Sequence, residues 1–243
     1  MQRLDKVLVE TGRWSRKEAK ELIRRGQVLV NGVVIRQPER KIEPEAAALT
    51  VRGEQISWNR YCYLMMNKPA GVLTATKDRE QKTVLDLLPT ALRRQGVVPV
   101  GRLDKDTEGL LLLTNDGVLA HQLLSPRYRV KKCYLVATDG TVDQEDVTAF
   151  RGGMVLRDGT QCLPAELEAL EAGYCLVTLR EGKYHQVKRM LAACGKPVRA
   201  LKRLSIGALK LDDTLEAGHW RELTEEKVRG LKKAVQGDQT EQI

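Results

Sequence analysis

Long apolar runs are missing from this chain of 243 residues. No stretch approaches the roughly eighteen consecutive apolar residues that a membrane helix needs, so no membrane partner is expected. The first residues, Met1-Gln2-Arg3-Leu4-Asp5-Lys6, place charges where a signal peptide would need its apolar stretch. Cysteine is sparse. Cys62, Cys133, Cys162, Cys175 and Cys194 are odd in number and scattered, with no Cys-x-x-Cys pair. That excludes an obvious disulfide framework and fits a reduced, cytoplasmic protein. Histidine is scarcer still: His121, His185 and His219 lie too far apart in sequence for metal-ligand spacing, and no metal site is expected. Neither Gly-x-x-x-x-Gly-Lys-Ser/Thr nor Gly-x-Gly-x-x-Gly occurs, so a nucleotide cofactor has no visible cradle.

What is present is positive charge. Lys and Arg number 41 against 32 Asp and Glu, a formal charge of +9. Such a balance favours a polyanionic partner, without separating RNA from DNA or from an anionic membrane. The hydrophobic share of 42% is that of a globular protein. The length allows one large domain or two smaller ones, each with its own core.

One stretch organises the rest. Gly101-Arg102-Leu103-Asp104-Lys105-Asp106-Thr107-Glu108-Gly109 crowds charges between two glycines and runs into Leu110-Leu111-Leu112-Leu113. The four leucines, followed by Asn115-Asp116-Gly117, read as a buried strand with a turn after it. Charges pressed against a buried strand are costly unless paired or used. Patterning alone favours a polar loop feeding a core strand, with Asp104 as an ordinary turn acid.

The first sixty residues have a distinct plan. Leu4, Val7 and Leu8 are spaced for a short helix stopped by Gly12. Ser15 caps a second helix, with Glu18 three residues on as its capping-box partner, running to about Gly26. On that helix Ala19, Leu22 and Ile23 form an apolar arc, while Arg16, Lys17, Lys20 and Arg24 form a basic arc without an acid to neutralise it. Most charged helix faces are merely solvated. A stripe of this kind also fits a row of phosphates. Asn31-Gly32 between Val28-Leu29-Val30 and Val33-Val34-Ile35 is a strong hairpin signal. Arg3-Leu4-Asp5-Lys6, Ser15-Arg16, Leu22-Ile23-Arg24-Arg25-Gly26 and Val28-x-Val30-Asn31-Gly32, in that order of elements, resemble the S4 RNA-binding domain. The resemblance covers about residues 1–50.

Beyond Gln37 to Asn59, which closes this domain, Tyr61 to Met66 reads as a buried strand. Asn67 to Gly71 reads as a turn and Val72 to Thr76 as the return strand. Thr83 to Leu88 is a short helix, and Val118 to Leu124 another. Lys131 to Ala137 is a strand by composition. Residues 142–151 read as helical. Leu163 to Leu170 and Tyr174 to Arg180 alternate as paired strands, and Val187, Met190, Leu191 and Cys194 share a helical face. A last helix begins beyond Glu222. Short strands with occasional helices predict an α+β fold with a mainly antiparallel sheet.

Three residues are candidates for chemistry, each with an ordinary alternative. Asp104 reads equally as a turn acid, Tyr134 as a core tyrosine at a strand edge, and Lys188 beside Arg189 as a solvated helix cation. A carboxylate in a dry pocket needs a cation such as Lys188 to stay ionised. A base drawn out of an RNA stack needs an aromatic platform such as Tyr134. Periodicity cannot bring the three together. Gly101-Arg102-Leu103-Asp104-x-Asp106-Thr107-x-Gly109-Leu110, Lys132-x-Tyr134 and Gly182-x-Tyr184-His185-Gln186-Val187-Lys188-Arg189-Met190 are, in order and spacing, similar to the motifs of the RsuA-type pseudouridine synthases. That resemblance spans about residues 1–225. It implies Asp104 as the catalytic carboxylate that attacks or deprotonates the target nucleotide. By the same resemblance Tyr134 stacks on the uracil, Lys188 is the basic partner of Asp104, and Arg102 holds the flipped-out nucleotide. An isomerisation of this kind consumes nothing, so no cofactor is implied. The Asp-Thr and Lys-Arg-Met residues look like the branch acting on small-subunit (16S) ribosomal RNA.

The expectations are therefore an S4-like RNA-binding domain over 1–58, a pseudouridine synthase catalytic domain over 59–232 and a loose tail over 233–243. The implied partner is ribosomal RNA or a partly assembled ribosomal subunit, met by a monomer through Arg3, Arg16, Lys17, Lys20 and Arg24. The same chemistry on 23S RNA, a non-catalytic S4-type assembly factor and hydrolysis with release of uracil stay open at this point. If the basic arc grips phosphates, changing Arg16, Lys17, Lys20 and Arg24 to Ala flattens the plot of log affinity against log salt. The expected change is roughly 0.7–0.9 per lost contact. An unchanged slope in a salt titration would mean that the face is only solvated.

Overall fold

The computed structural model describes residues 1–236. They fall into two compact units. The first comprises Met1–Cys62 with Leu85–Val98 and Thr114–Asp116; the second comprises Tyr63–Val84, Pro99–Leu113 and the chain from Gly117 onward. The sequence boundary at 58/59 assigned 85–98 and 114–116 to the second domain. The structure groups them with the first unit, where Gln95 Nε2 donates to the Thr11 carbonyl and Asn115 Nδ2 donates to the Gln95 carbonyl.

In the first unit, helix α1 (Leu4–Glu10) and helix α2 (Arg16–Arg24) precede strands β1 (Val28–Val30), β2 (Val33–Val34), β3 (Leu49–Val51) and β4 (Glu54–Ile56). Ser15 accepts from the Glu18 amide at 3.3 Å and Glu18 accepts from the Ser15 amide at 2.6 Å, the reciprocal box read from the sequence. Asn31 and Gly32 both take positive φ, which lets the hairpin of β1 and β2 follow the natural strand twist. The sheet order is β2-β1-β3-β4. Leu4, Val7, Leu8, Ala19, Leu22 and Ile23 from the helices bury against Val28, Leu49 and Val51 from the strands.

The second unit is built on one large sheet. Its main strands are β5 (Tyr63–Lys68), β6 (Glu108–Thr114), β7 (Lys132–Thr138), β8 (Glu166–Ala169), β9 (Tyr174–Leu179), β10 (Val198–Ile206) and β11 (Trp220–Glu222). They run in the order β8-β9-β7-β10-β6-β5-β11. The pairs β8–β9, β9–β7, β7–β10 and β5–β11 are antiparallel, whereas β10 and β6 are parallel. Helices α3 (Gly117–Leu124), α4 (Gln144–Gly152), α5 (Gln186–Ala193) and α6 (Glu225–Ala234) complete it. This is the α+β arrangement expected. Leu110 to Leu113 are fully buried. Leu110 and Leu112 face a core shared with Met65, Leu119, Leu123, Ile206 and Leu231.

Three readings are corrected. The return strand at Val72 to Thr76 does not form. Only Leu73 makes a single bridge, to Thr83, its backbone bonding to Lys82 and Val84, while the Thr74 side chain bonds to Leu103. Strand β10, the longest in the sheet, had no counterpart in the sequence reading: its Lys202 and Arg203 interrupt the alternation that marks a strand. The tail does not start at 233, since Lys233 and Ala234 are helical and Val235 is buried in the core. The rest of that segment, 237–243, lies outside the described residues. Leu112→Ala removes a fully buried side chain and is expected to cost about 2–5 kcal/mol, read as a lower urea midpoint. A loss below about 1 kcal/mol would contradict this packing of the core.

Candidate active site

The 101–107 loop enters β6 and forms one wall of a cavity of about 790 Å³. Several local features fix it. Gly109 faces Arg203 across the parallel pair, and a Cβ there would collide with the Arg203 backbone. Thr74 closes a two-way bond with Leu103: its hydroxyl donates to the Leu103 carbonyl at 2.7 Å and accepts from the Leu103 amide at 3.2 Å. The Thr107 amide donates to the Asp104 carbonyl at 3.1 Å, tightening the turn.

A fully buried cation stands behind the loop. Lys68, the last residue of β5, donates to the carbonyls of Pro69 at 3.0 Å, Lys105 at 3.2 Å and Thr107 at 2.8 Å. Three carbonyls satisfy its three protons without neutralising it. Burial lowers its pKa from the usual 10.5 to about 8, against the attraction of Asp106, Glu108 and Asp104. Sequence reading placed Lys68 in a turn. The signal available was a lysine closing an otherwise apolar strand.

The second wall comes from 181–188. Glu181 is buried and accepts from Gln186 Nε2 at 2.7 Å and from the Leu163 amide at 2.8 Å. Gln186 accepts in turn from the Lys183 amide at 3.0 Å. His185, at the N-cap of α5, takes φ +47°, a left-handed conformation that costs a non-glycine residue energy. The turn brings His185 Nε2 to 3.5 Å from Asp104 Oδ1 and Lys188 Nζ to 3.3 Å from Asp104 Oδ2. Tyr184, 75% exposed, stacks on His185 at 3.8 Å between ring centres and sits at the rim.

Lys188 also donates to Asp106 Oδ1 at 2.6 Å, so it bridges two carboxylates. Burial works against its charge, but bonds to Asp106 and Asp104 more than offset that and hold its pKa above the ordinary value. The same bond to Lys188 holds the Asp106 carboxyl below the usual range. Asp106 had no role in the sequence reading; here it is the closer partner of Lys188.

The third wall is the sheet. Tyr134 is buried on β7 and lines the cavity, as do Lys132 on β7, Arg203 on β10 and the exposed Arg102. Asp104, Tyr134, Lys188 and Arg102 thus all belong to the second unit, the first two with Arg102 on the cavity wall and Lys188 bonded to Asp104. The cations singled out in the first unit lie apart from this cluster in the chain. Arg16, Lys17, Lys20 and Arg24 are exposed on α2 as expected. Arg3 is engaged by Asp5, its Nε and Nη2 donating to the two carboxylate oxygens at 3.0 and 2.8 Å. Among the described residues there is no cluster of His, Cys, Asp and Glu that could hold a metal ion.

The comparisons agree on one family. A family model described as RNA pseudouridylate synthase matches residues 62–193, and an S4 domain model matches residues 2–47. A relative from Bacillus subtilis (strain 168), named an uncharacterized RNA pseudouridine synthase, is 45% identical over 94% of this chain and 98% of its own length. The ribosomal small subunit pseudouridine synthase A of Vibrio cholerae is 40% identical over 94% of this chain and 99% of its own. A crystal structure titled as that of a pseudouridylate synthase superimposes with a TM-score of 0.67 at 35% identity, covering 95% of this chain and all of that one.

Lys68 and the cavity lysine Lys132 both have pKa values lowered to about 8 by burial. Both are less readily protonated in the folded protein than in the unfolded chain. Unfolding therefore takes up protons between pH about 8 and 10.5, and stability rises with pH across that window. Lys68→Met is expected to flatten the rise in urea midpoint over this range. A rise as steep as in the wild type would contradict the burial of that charge.

Proposed function

The chain belongs to the RNA pseudouridylate synthase family and carries an S4 domain, and from that premise we propose that it converts a specific uridine of small-subunit ribosomal RNA to pseudouridine. The observation that carries the site assignment is that Asp104 and Tyr134 line one cavity, with Lys188 paired to Asp104. The near-full-length similarity to a small-subunit synthase supports the choice of RNA. The substrate is ribosomal RNA or a partly assembled subunit, and the enzyme is a cytoplasmic monomer. Work divides near residue 58: the N-terminal segment grips RNA, and the remainder does the chemistry.

In this reading the target uridine leaves the RNA stack and enters the cavity. Flipping costs on the order of a few kcal/mol, and stacking on an aromatic ring returns about 1–3 kcal/mol. Tyr134 supplies that ring and Arg102, exposed at the wall, holds the displaced nucleotide. Asp104 attacks C1′ or takes a ribose proton. By either route the N1–C1′ bond breaks and its electron pair stays with the uracil. The freed ring turns and C5 bonds to C1′, as the Asp104–C1′ bond breaks in the first route or as the ribose carbon regains its proton in the second; the C5 proton leaves and N1 gains one. Substrate and product are isomers, so the balance needs no cofactor. Lys188 pairs with Asp104 at 3.3 Å, and Asp106 keeps Lys188 in place.

Arg16, Lys17, Lys20 and Arg24 form the phosphate-facing stripe. Arg3 contributes there through whatever charge its pairing with Asp5 leaves available.

Asp104→Asn keeps the shape of the side chain and removes its charge. It is expected to abolish pseudouridine formation on ribosomal RNA while leaving the dissociation constant for RNA within about threefold. Turnover retained in this variant would refute the role of Asp104.

A further inference from the structure

Beneath the cavity, two cations are buried with no carboxylate partner among the described residues. Arg203 is 3% exposed and Lys132 is 7% exposed. Arg203 Nε donates to the Leu110 carbonyl at 2.8 Å, but its Nη2 is sealed from solvent and has no hydrogen-bond partner. Lys132 Nζ donates to the Val130 carbonyl at 3.0 Å. Carbonyl oxygens orient these groups without cancelling their charge. Each of the two works against the other, and Arg203 adds to burial in lowering the pKa of Lys132.

Their placement is set by the sheet. Arg203 lies directly across from Tyr134 on neighbouring strands, after a register shift at Cys133 and Tyr134. Cross-strand partners share a face of the sheet. Lys132 is two residues before Tyr134 on the same strand, and alternation puts it on that face too. All three line the cavity. Two uncompensated buried charges are expensive, and such a cost persists at positions where the charge is used.

Breaking the N1–C1′ bond leaves its electron pair on the uracil, whose negative charge spreads onto the ring oxygens O2 and O4. We propose that Lys132 and Arg203 form a fixed cationic floor that stabilises this uracil anion while it is detached from the ribose. The proposal rests on the reading of the cavity as a uridine site. It extends that reading to two residues outside the Asp104, Tyr134 and Lys188 set. The sealed position of Arg203 suits this role, because its charge reaches the ring through protein rather than water and is little screened. No reorganisation is needed, because the charges are in place before the bond breaks. A positive floor favours the anion over the neutral, attached base, so it lowers the barrier rather than tightening substrate binding.

Two full-length variants, Lys132→Met and Arg203→Gln, test this, with Arg203→Lys as the charge-retaining control. The substrate is an RNA whose modified uridine has been mapped, and the same RNA with 5-fluorouridine at that site. The fluorine withdraws electrons and stabilises the ring anion by itself, and cleavage precedes any step at C5. Loss of the starting nucleoside is followed in single turnover by nucleoside chromatography, with RNA affinity and Tm measured alongside.

On uridine, Lys132→Met and Arg203→Gln are expected to react about 100-fold slower with RNA affinity unchanged. On 5-fluorouridine their deficit shrinks to about 10-fold, and Arg203→Lys, which keeps the charge, loses less than Arg203→Gln on uridine. Equal deficits on the two substrates, or an undiminished rate on uridine, overturn the proposal. A purely structural role would lower Tm and slow both substrates alike. If Arg203→Gln does not fold, Lys132→Met decides, since its ammonium holds a single carbonyl. A wild-type protein that forms no pseudouridine refutes the underlying reading instead, so the two failures are distinct.

Discussion

The site depends on one ammonium group held between two carboxylates. Lys188 reaches Asp104 at 3.3 Å and Asp106 at 2.6 Å, and both acids sit on the same short loop. Without that cation, two carboxylates two residues apart on one loop would have nothing between them to offset their repulsion. With it, that repulsion is offset, and the 101–107 loop is tied to α5 on the far side of the cavity. The bridge also sets an asymmetry. Asp106 takes the shorter bond to Lys188, which leaves Asp104 the more loosely held of the two.

Much of the second unit serves to keep that loop where Lys188 can reach it. Thr74 clamps Leu103 from one side, and Lys68 collects the Lys105 and Thr107 carbonyls from behind. Gly109 lets β6 approach the Arg203 backbone closely enough for the parallel pair to form. On the opposite wall, Glu181 and Gln186 hold the turn that starts α5. These are rigid supports, and catalytic geometry of this kind depends on such supports more than on the reacting group itself.

The elements legible in the sequence were those whose signals are local. Ser15 with Glu18, Asn31 with Gly32, and the Leu110 to Leu113 run each state their structure within a few residues, and each forms as read. The failures have a common physical cause. Val72 to Thr76 has the composition of a strand, but its backbone meets only the 82–84 segment, and Thr74 turns its hydroxyl to Leu103, contacts that lie beyond its own sequence. Strand β10 and the end of β5 carry Lys202, Arg203 and Lys68 at positions where patterning expects apolar or solvated residues. A buried lysine or arginine is rare, and the distant carbonyl or reaction charge that justifies it is invisible along the chain. Asp104, Tyr134 and Lys188 were individually ordinary in pattern; motif resemblance joined them, and topology explains how segments far apart in the chain meet. Asp106 was named within the motif, yet its bond to Lys188 is a fact of three dimensions.

If this chain isomerises one uridine of small-subunit ribosomal RNA, its loss leaves a single mark. That mark is read by mapping every pseudouridine in the ribosomal RNA of cells with and without the protein. One pseudouridine is expected to disappear from the small-subunit RNA and to return when the intact protein is restored. An unchanged pseudouridine pattern, or a loss confined to the large-subunit RNA, would contradict the assignment.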